Sequence, residues 1–253
     1  MSRPLSARSI IASTLLGTIP PVLPSRLLVA FTAEFGVSEG ATRVALSRMI
    51  DRGELERDNG SYALRGPLLE RQHRQEAGLT PAVTTWSGRW EMAVVRPGPR
   101  TGADRAALRQ ALGHLGLGER REGTWLRPDN LDPHRLAPDR AVVSAQADRF
   151  TAQTDADPSE LAGQLFDLAG WAAEADDLRR RMDELRTALD GSDESVLASG
   201  FVVAAAVLRH LVSDPLLPDD IAPVDWPARR IRVEYTSYDQ AFRAVLASFF
   251  RDV

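Results

Sequence analysis

Residues 24–65, PSRLLVAFTAEFGVSEGATRVALSRMIDRGELERDNGSYALR, constrain this chain more than any other stretch, because two short helices, a turn and a hairpin follow one another without a gap. From Pro24 to Phe35, Leu27, Leu28, Phe31 and Phe35 share one helical face, and Pro24 suits a first turn, where its missing N–H has no partner to lose. Gly36 ends this helix. Ser38 then caps a second helix running to about Arg52, and Gly53 closes it in a position that tolerates positive φ. Thr42, Ala45, Leu46 and Met49 recur at intervals of three and four and form its inner face, which leaves Arg43, Ser47 and Arg48 pointing outward. The segment from Glu54 to Arg65 alternates about Asn59-Gly60, the strongest short-range signal for a two-residue hairpin turn. Helix, turn, helix and hairpin in this order make a winged helix-turn-helix.

An outward Arg beside a short hydroxyl side chain suits a helix lying in the major groove, where Arg bonds guanine through two hydrogen bonds. The candidate DNA contacts are therefore Ser38, Arg43, Ser47 and Arg48 on the helix, with Arg57, Asn59 and Arg65 on the wing. The same geometry also serves protein-binding and scaffold modules, and an outward Arg is ordinarily a solvated residue. The hairpin directly after the second helix favours the DNA reader.

A length of 253 residues accommodates two or three domains, each with its own core. The absence of Cys excludes disulfides, thiolate zinc sites and cysteine nucleophiles, and fits a reducing cytoplasm. There is also no Lys: all 31 basic residues are Arg, which excludes Schiff-base chemistry and the phosphate-loop lysine. The net charge of −4 is unevenly spread. Residues 1–66 carry eight Arg (3, 8, 26, 43, 48, 52, 57 and 65) against six carboxylates, whereas residues 155–194 carry twelve carboxylates against four Arg. Nucleic-acid binding by such a chain rests on placed Arg side chains more than on bulk charge.

Ser6 can cap a helix ending near Gly17. The apolar run Ile10 to Ile19 is interrupted by Ser13, Thr14 and Gly17 and has no small-x-small cleavage site after it, so it reads as the first helix of the winged domain and not as a signal peptide. The longest apolar stretch, Phe201 to Leu208, is short of the roughly 20 residues a bilayer span needs. Pro67 to Gly78 reads as a linking helix.

A new domain follows. Arg89 to Val95 reads as a strand, Gly102 to Leu115 as a helix with Leu108, Leu112 and Leu115 on one face, and Gly123–Arg127 and Arg140–Gln146 as two further strands. Strand, helix, strand, strand opens a ferredoxin-like split unit. Asp157 to Leu189 is mainly helical. Its positions Trp171, Ala175, Leu178, Met182, Leu185 and Leu189 form a seam that needs a partner, supplied either by the helix Val196 to Leu211 or by a second chain. A Pro-rich turn at 216–227 and a last helix from Tyr238 to Phe250 complete the chain.

Residues for catalysis are missing from this pattern. The four His (73, 114, 134 and 210) have no metal-ligand spacing, and Gly116-Leu117-Gly118 has Arg121 where a dinucleotide loop needs its third glycine, so it reads as a helix C-cap. The first strand of the middle domain ends Val94-Val95-Arg96, without the carboxylate a metal-dependent nuclease would place there. Asp219 and Asp220 read as a solvated turn. No enzyme and no cofactor are expected.

In this order, the second helix with Arg43 and Ser47-Arg48-Met49, the segment Trp86-Ser87-Gly88-Arg89-Trp90, Gly123-Thr124-Trp125-Leu126-Arg127-Pro128, Phe166-Asp167-Leu168 with Trp171, and Pro215-Leu216-Leu217-Pro218 followed by Trp226-Pro227 resemble the PaaX-type repressors of bacterial phenylacetic acid catabolism. The resemblance covers nearly the whole chain. It departs at Thr42, where the family often has Val, and at Glu54, where it often has an aromatic, so a different packing at the base of the wing is expected.

The resemblance implies an α+β protein of three parts: an N-terminal winged helix (1–66), reached through a linker helix (67–85) to a ferredoxin-like middle domain (86–156), and a helical C-terminal domain (157–253). It implies a dimer on double-stranded DNA, released by an aryl-CoA thioester such as phenylacetyl-CoA; a homodimer on a palindromic operator is also expected because one winged helix with so little net positive charge binds weakly and two copies multiply the affinity. In a chain without Lys, the phosphates of such an effector need Arg or helix N-termini. The candidates are Arg96, Arg100, Arg127, Arg229 and Arg230, with Trp226 to stack on adenine or an aryl group.

Overall fold

The computed structural model describes residues 5–253; Arg3, counted above among the N-terminal cations, lies outside the described residues. The chain forms two compact units: one comprises residues up to His73 with Arg179–Ala206 and Glu234–Val253, the other Arg74–Leu178 with Val207–Val233. The fold is α+β, and the C-terminal helices are divided between the two units.

In the first unit, Ser6 caps α1 (Ala7–Leu16) by accepting from the Ser9 N–H. Next come a short strand β1 (Val22–Pro24), α2 (Ser25–Ala33), α3 (Glu39–Asp51), β2 (Leu55–Asp58) and β3 (Ser61–Leu64). Pro24 closes β1 and stands at the N-cap of α2 instead of inside its first turn. The hairpin turn has Asn59 at φ 46° and Gly60 at φ 81°, the left-handed pair that a two-residue turn requires. β3 lies between β1 and β2 in an antiparallel sheet. β1 was not anticipated. Three residues ending in Pro carry no alternation to detect.

Ile11, Leu15, Leu28, Leu46, Met49, Leu55 and Leu64 fill the space between these helices and the sheet. Phe31 is fully buried, and its ring meets Phe35 at 5.5 Å, Phe201 at 5.2 Å, Phe249 at 6.2 Å and Phe250 at 6.1 Å, all edge-on. These are favourable aromatic geometries. The winged-helix core thus includes side chains from the last helix.

In the second unit, β4 (Trp90–Val95), α5 (Gly102–His114), β5 (Gly118–Arg121), β6 (Thr124–Pro128), α6 (Ala137–Gln146) and β7 (Ala147–Ala152) give the complete ferredoxin-like βαββαβ order. The sheet order is β5-β6-β4-β7, with antiparallel neighbours throughout. Arg140–Gln146, read above as a strand, lies in helix α6. Pro138 and Asp139 in its first turn favour a helix start, and the edge strand begins only at Ala147. Leu108, Leu112 and Val143 pack on one face of the sheet, and Trp90 meets Leu161 and Ala162 of α7 (Pro158–Leu165) on the other. Glu91 is buried on the helix side and bonds both Arg140 (3.2 Å) and Arg149 (2.8 Å).

The long helical segment breaks at Phe166, whose φ −130° and ψ 141° are extended, and restarts as α8 (Leu168–Asp190) with Asp167 accepting from the Gly170 N–H. Its seam residues Trp171, Ala175, Leu178, Met182 and Leu189 are buried within the single chain, so the partner is intramolecular. Helix α9 (Leu197–Val212) follows. The stretch Glu194–Val212 is long and apolar enough by composition to cross a membrane, longer than the Phe201–Leu208 run seen in the sequence. It is a packed helix, however, with Leu197, Val207 and Leu211 buried in protein. Helix α10 spans Ala228–Asp252, beginning ten residues ahead of the expected Tyr238, directly after Pro227.

Phe31→Ala should lower the free energy of unfolding by about 3 to 5 kcal/mol in urea titrations, whereas Phe150→Ala, at a half-exposed position, should change it by less than about 1 kcal/mol.

Candidate functional site

The outward face of α3 is as its spacing requires. Thr42, Leu46 and Met49 are buried, while Arg43, Ser47 and Arg48 are exposed together with Val44. Inside, the Thr42 and Thr32 hydroxyls share a 2.7 Å hydrogen bond, so the polar residue at position 42 finds a partner within the core. At the base of the wing, the buried carboxylate of Glu54 accepts a bidentate pair of bonds from Arg8, the closest at 2.7 Å. These two contacts give both polar side chains a partner.

Ser38 caps α3, its hydroxyl accepting from the Ala41 N–H at 3.3 Å. Arg43 is held by Glu39 one turn earlier, at 2.6 Å. Arg48 is exposed in the last turn of the helix. On the wing, Asn59 stands exposed at the tip, Arg57 lies 6.0 Å from the ring centre of Tyr62, and Arg65 pairs with Glu56. All seven candidates thus belong to the winged helix. Arg48 and Arg57 present charge outward, and Arg43 and Arg65 do so through an exposed ion pair that DNA phosphate can displace. Arg26, exposed in the first turn of α2, is a further cation of this unit that the helix-and-wing pattern did not single out.

The six effector candidates fall in different places of the second unit. Arg96 bonds the Ser144 carbonyl at 3.1 Å, the Ala145 carbonyl, and Asp148 at 3.0 Å, which ties β4 to the C-terminal end of α6. Arg100 donates to the carbonyls of Arg96 and Gln146. Arg127 is fully buried, its guanidinium donating to Leu115 O (2.6 Å), Pro128 O (2.9 Å) and Asn130 Oδ1 (2.7 Å). Burial pushes its pKa down to about 9, which leaves it a cation at neutral pH. These three Arg serve as structural ties, and none of them lines the cavity that Trp226 and Arg229 share. Arg230 is exposed in the first turn of α10. Trp226 and Arg229, by contrast, both line one cavity of about 500 Å3.

The Gly116-Leu117-Gly118 motif also has its explanation here. Gly116 has φ +71°, and a Cβ on it would lie 2.7 Å from Arg127 Nη1; a Cβ on Gly118 would lie 2.6 Å from Leu165 O. Close packing, not phosphate binding, demands both glycines. Gly116→Ala should therefore lower stability by about 2 kcal/mol or more, and Arg127→Leu, which orphans buried acceptors, by about 3 kcal/mol, both read from denaturant midpoints.

Comparison with known proteins gives three findings. The family model described as PaaX-like protein matches residues 6–66, and that of the PaaX protein central Cas2-like domain matches residues 83–162. The structure of the uncharacterized protein Rv0674 from Mycobacterium tuberculosis is 37% identical in sequence, with a TM-score of 0.71, and the match covers 96% of this chain and 98% of that one. Among curated proteins none matches.

Proposed function

Because the chain belongs to the PaaX-like family of regulators, we propose that it is a sequence-specific DNA-binding repressor of a catabolic operon, released by a small-molecule effector. The observation that carries this reading is the exposed face of Arg43, Ser47 and Arg48 on α3, followed directly by a hairpin wing bearing Arg57 and Arg65. In the major groove an Arg reads guanine through O6 and N7, and the exposed methyls of Val44 suit a thymine methyl. The wing cations supply phosphate or minor-groove contacts. Such a protein acts in the cytoplasm, where its operator is.

One winged helix with so small a cationic surplus binds weakly, and two linked copies multiply that affinity. The working species is accordingly a homodimer on a palindromic operator, with half-sites about 34 Å or a multiple of that apart. The family resemblance favours an aryl-CoA thioester, phenylacetyl-CoA above all, as the effector. Coupling is reciprocal, so the effector binds the free protein more tightly than the operator complex by the factor through which it weakens DNA binding.

A gel shift on the DNA upstream of the protein's own gene tests the reading. Arg43→Ala and Arg48→Ala should each cost about 1 to 3 kcal/mol of specific affinity while leaving the fold intact. Unchanged operator affinity in the double variant would instead assign the winged helix to a protein-binding role. Sedimentation should show a dimer, and phenylacetyl-CoA titrated into the preformed complex should release the DNA.

A further inference from the structure

The cavity of about 500 Å3 in the second unit lies within the range of about 300 to 1,000 Å3 typical of small-molecule sites, and its walls are of a particular kind. Two of them are indole rings. Trp226 is stacked on Trp171 with centroids 4.7 Å apart, and Trp171 is stacked in turn on His210 at 4.2 Å, so Trp226 is backed by a column of buried rings. Trp86 is fixed by its Nε1–H, which donates to Arg89 O at 2.6 Å, and by its edge contact with Trp90. Leu216 also lines the cavity and is held in the left-handed region at φ 52° by two side chains: Asn130 donates to its carbonyl at 3.0 Å, and Asp214 accepts from its N–H at 2.9 Å. The walls are therefore set before any ligand arrives.

The charges are ordered as well. Arg232 and Asp214, both lining residues, neutralise each other at 2.7 Å. Arg229, exposed, lines the cavity together with Ala228 in the first turn of α10, where unbonded amides and the helix dipole favour an anion. Asp219 and Asp220 also line it, and both are exposed. One positive group with a helix start suits a single negative charge, and two carboxylates at the rim repel a polyanion. We propose that this cavity binds a flat aromatic ring system bearing one carboxylate, the ring between the walls of Trp86 and Trp226 and the carboxylate on Arg229 and the first turn of α10. The site goes beyond the effector reading above and is separate from it: the diphosphate of a CoA carrier does not suit this rim, so an aryl-CoA effector would bind elsewhere.

The test is calorimetric titration of the full-length free protein with 2-naphthoate, its uncharged amide, cyclohexanecarboxylate as a charged but non-flat control, and CoA as a polyanion. Naphthoate should bind at least tenfold more tightly than each of the other three. Trp226→Ala and Arg229→Gln should each weaken it about tenfold, and Arg229→Gln, at an exposed position, should leave the unfolding midpoint unchanged while abolishing the preference for acid over amide. Absence of naphthoate binding at millimolar concentration, undiminished binding in Arg229→Gln, or CoA binding as tightly would overturn the assignment. A parallel operator gel shift separates the two readings. Naphthoate binding without DNA release keeps the cavity assignment, whereas release by phenylacetyl-CoA without naphthoate binding keeps the regulator and removes the assignment.

Discussion

A fully buried guanidinium organises the second unit. Arg127 is taken out of water and kept charged, so its donors must be met by acceptors arranged for a planar fork. The acceptors come from the end of α5, from its own strand end and from Asn130, and Asn130 passes the network on to Leu216 O. One side chain thereby fixes the close approach at Gly116 and, through Asn130, the wall of the cavity. An apolar side chain of similar shape would leave those buried acceptors without a donor, which is costly. What Arg127 does here is specify geometry, since each carbonyl has one position in which the fork is satisfied. Lysine, with a single ammonium head, cannot bridge acceptors spread around a plane.

The first unit is organised by rings. Phe31 stands at the centre of an edge-on cluster whose other members come from α2 itself, from α9 and from the end of α10. Helix α3 packs on α1 and α2 through Leu46 and Met49, and Thr42 reaches α2 through a buried hydroxyl pair. The exposed face of α3 is thus positioned by an apolar core to which residues nearly two hundred positions downstream contribute.

What the sequence made legible was local. Ser6, Ser38, Gly36, Gly53 and Asn59-Gly60 act through capping or left-handed backbone conformations that depend on a few neighbouring residues, and each stands where its chemistry places it. The β-branched pair Val142-Val143 misled the reading of α6, because the signals that oppose it, Pro138 and Asp139, lie at the helix start, and no Gly or Pro separates Gln146 from the strand beginning at Ala147. The start of α10 was missed for a similar reason. Ile231 and Val233 weaken its helical signature, and packing overrides propensity there. Of the effector candidates, Trp226 and Arg229 were visible as an aromatic beside cations. Trp86 and Arg232 were not, because the cavity is assembled from segments at 81–86, 130, 214–220 and 226–232 that only the fold brings together.

The ion pair between Glu39 and Arg43 bears on how a reader of this kind would find its target. Affinity for arbitrary DNA comes from counterions released as cations meet phosphates. Here Arg43 is balanced by its own helix and Arg65 by Glu56, so contact with a random stretch of duplex releases little. For a DNA reader of the kind proposed, residence on such DNA would be short, and the search would proceed by frequent dissociation and re-encounter more than by long sliding. Few molecules are then held on the vast excess of irrelevant sequence, and a low-abundance protein can occupy its site with a modest absolute affinity.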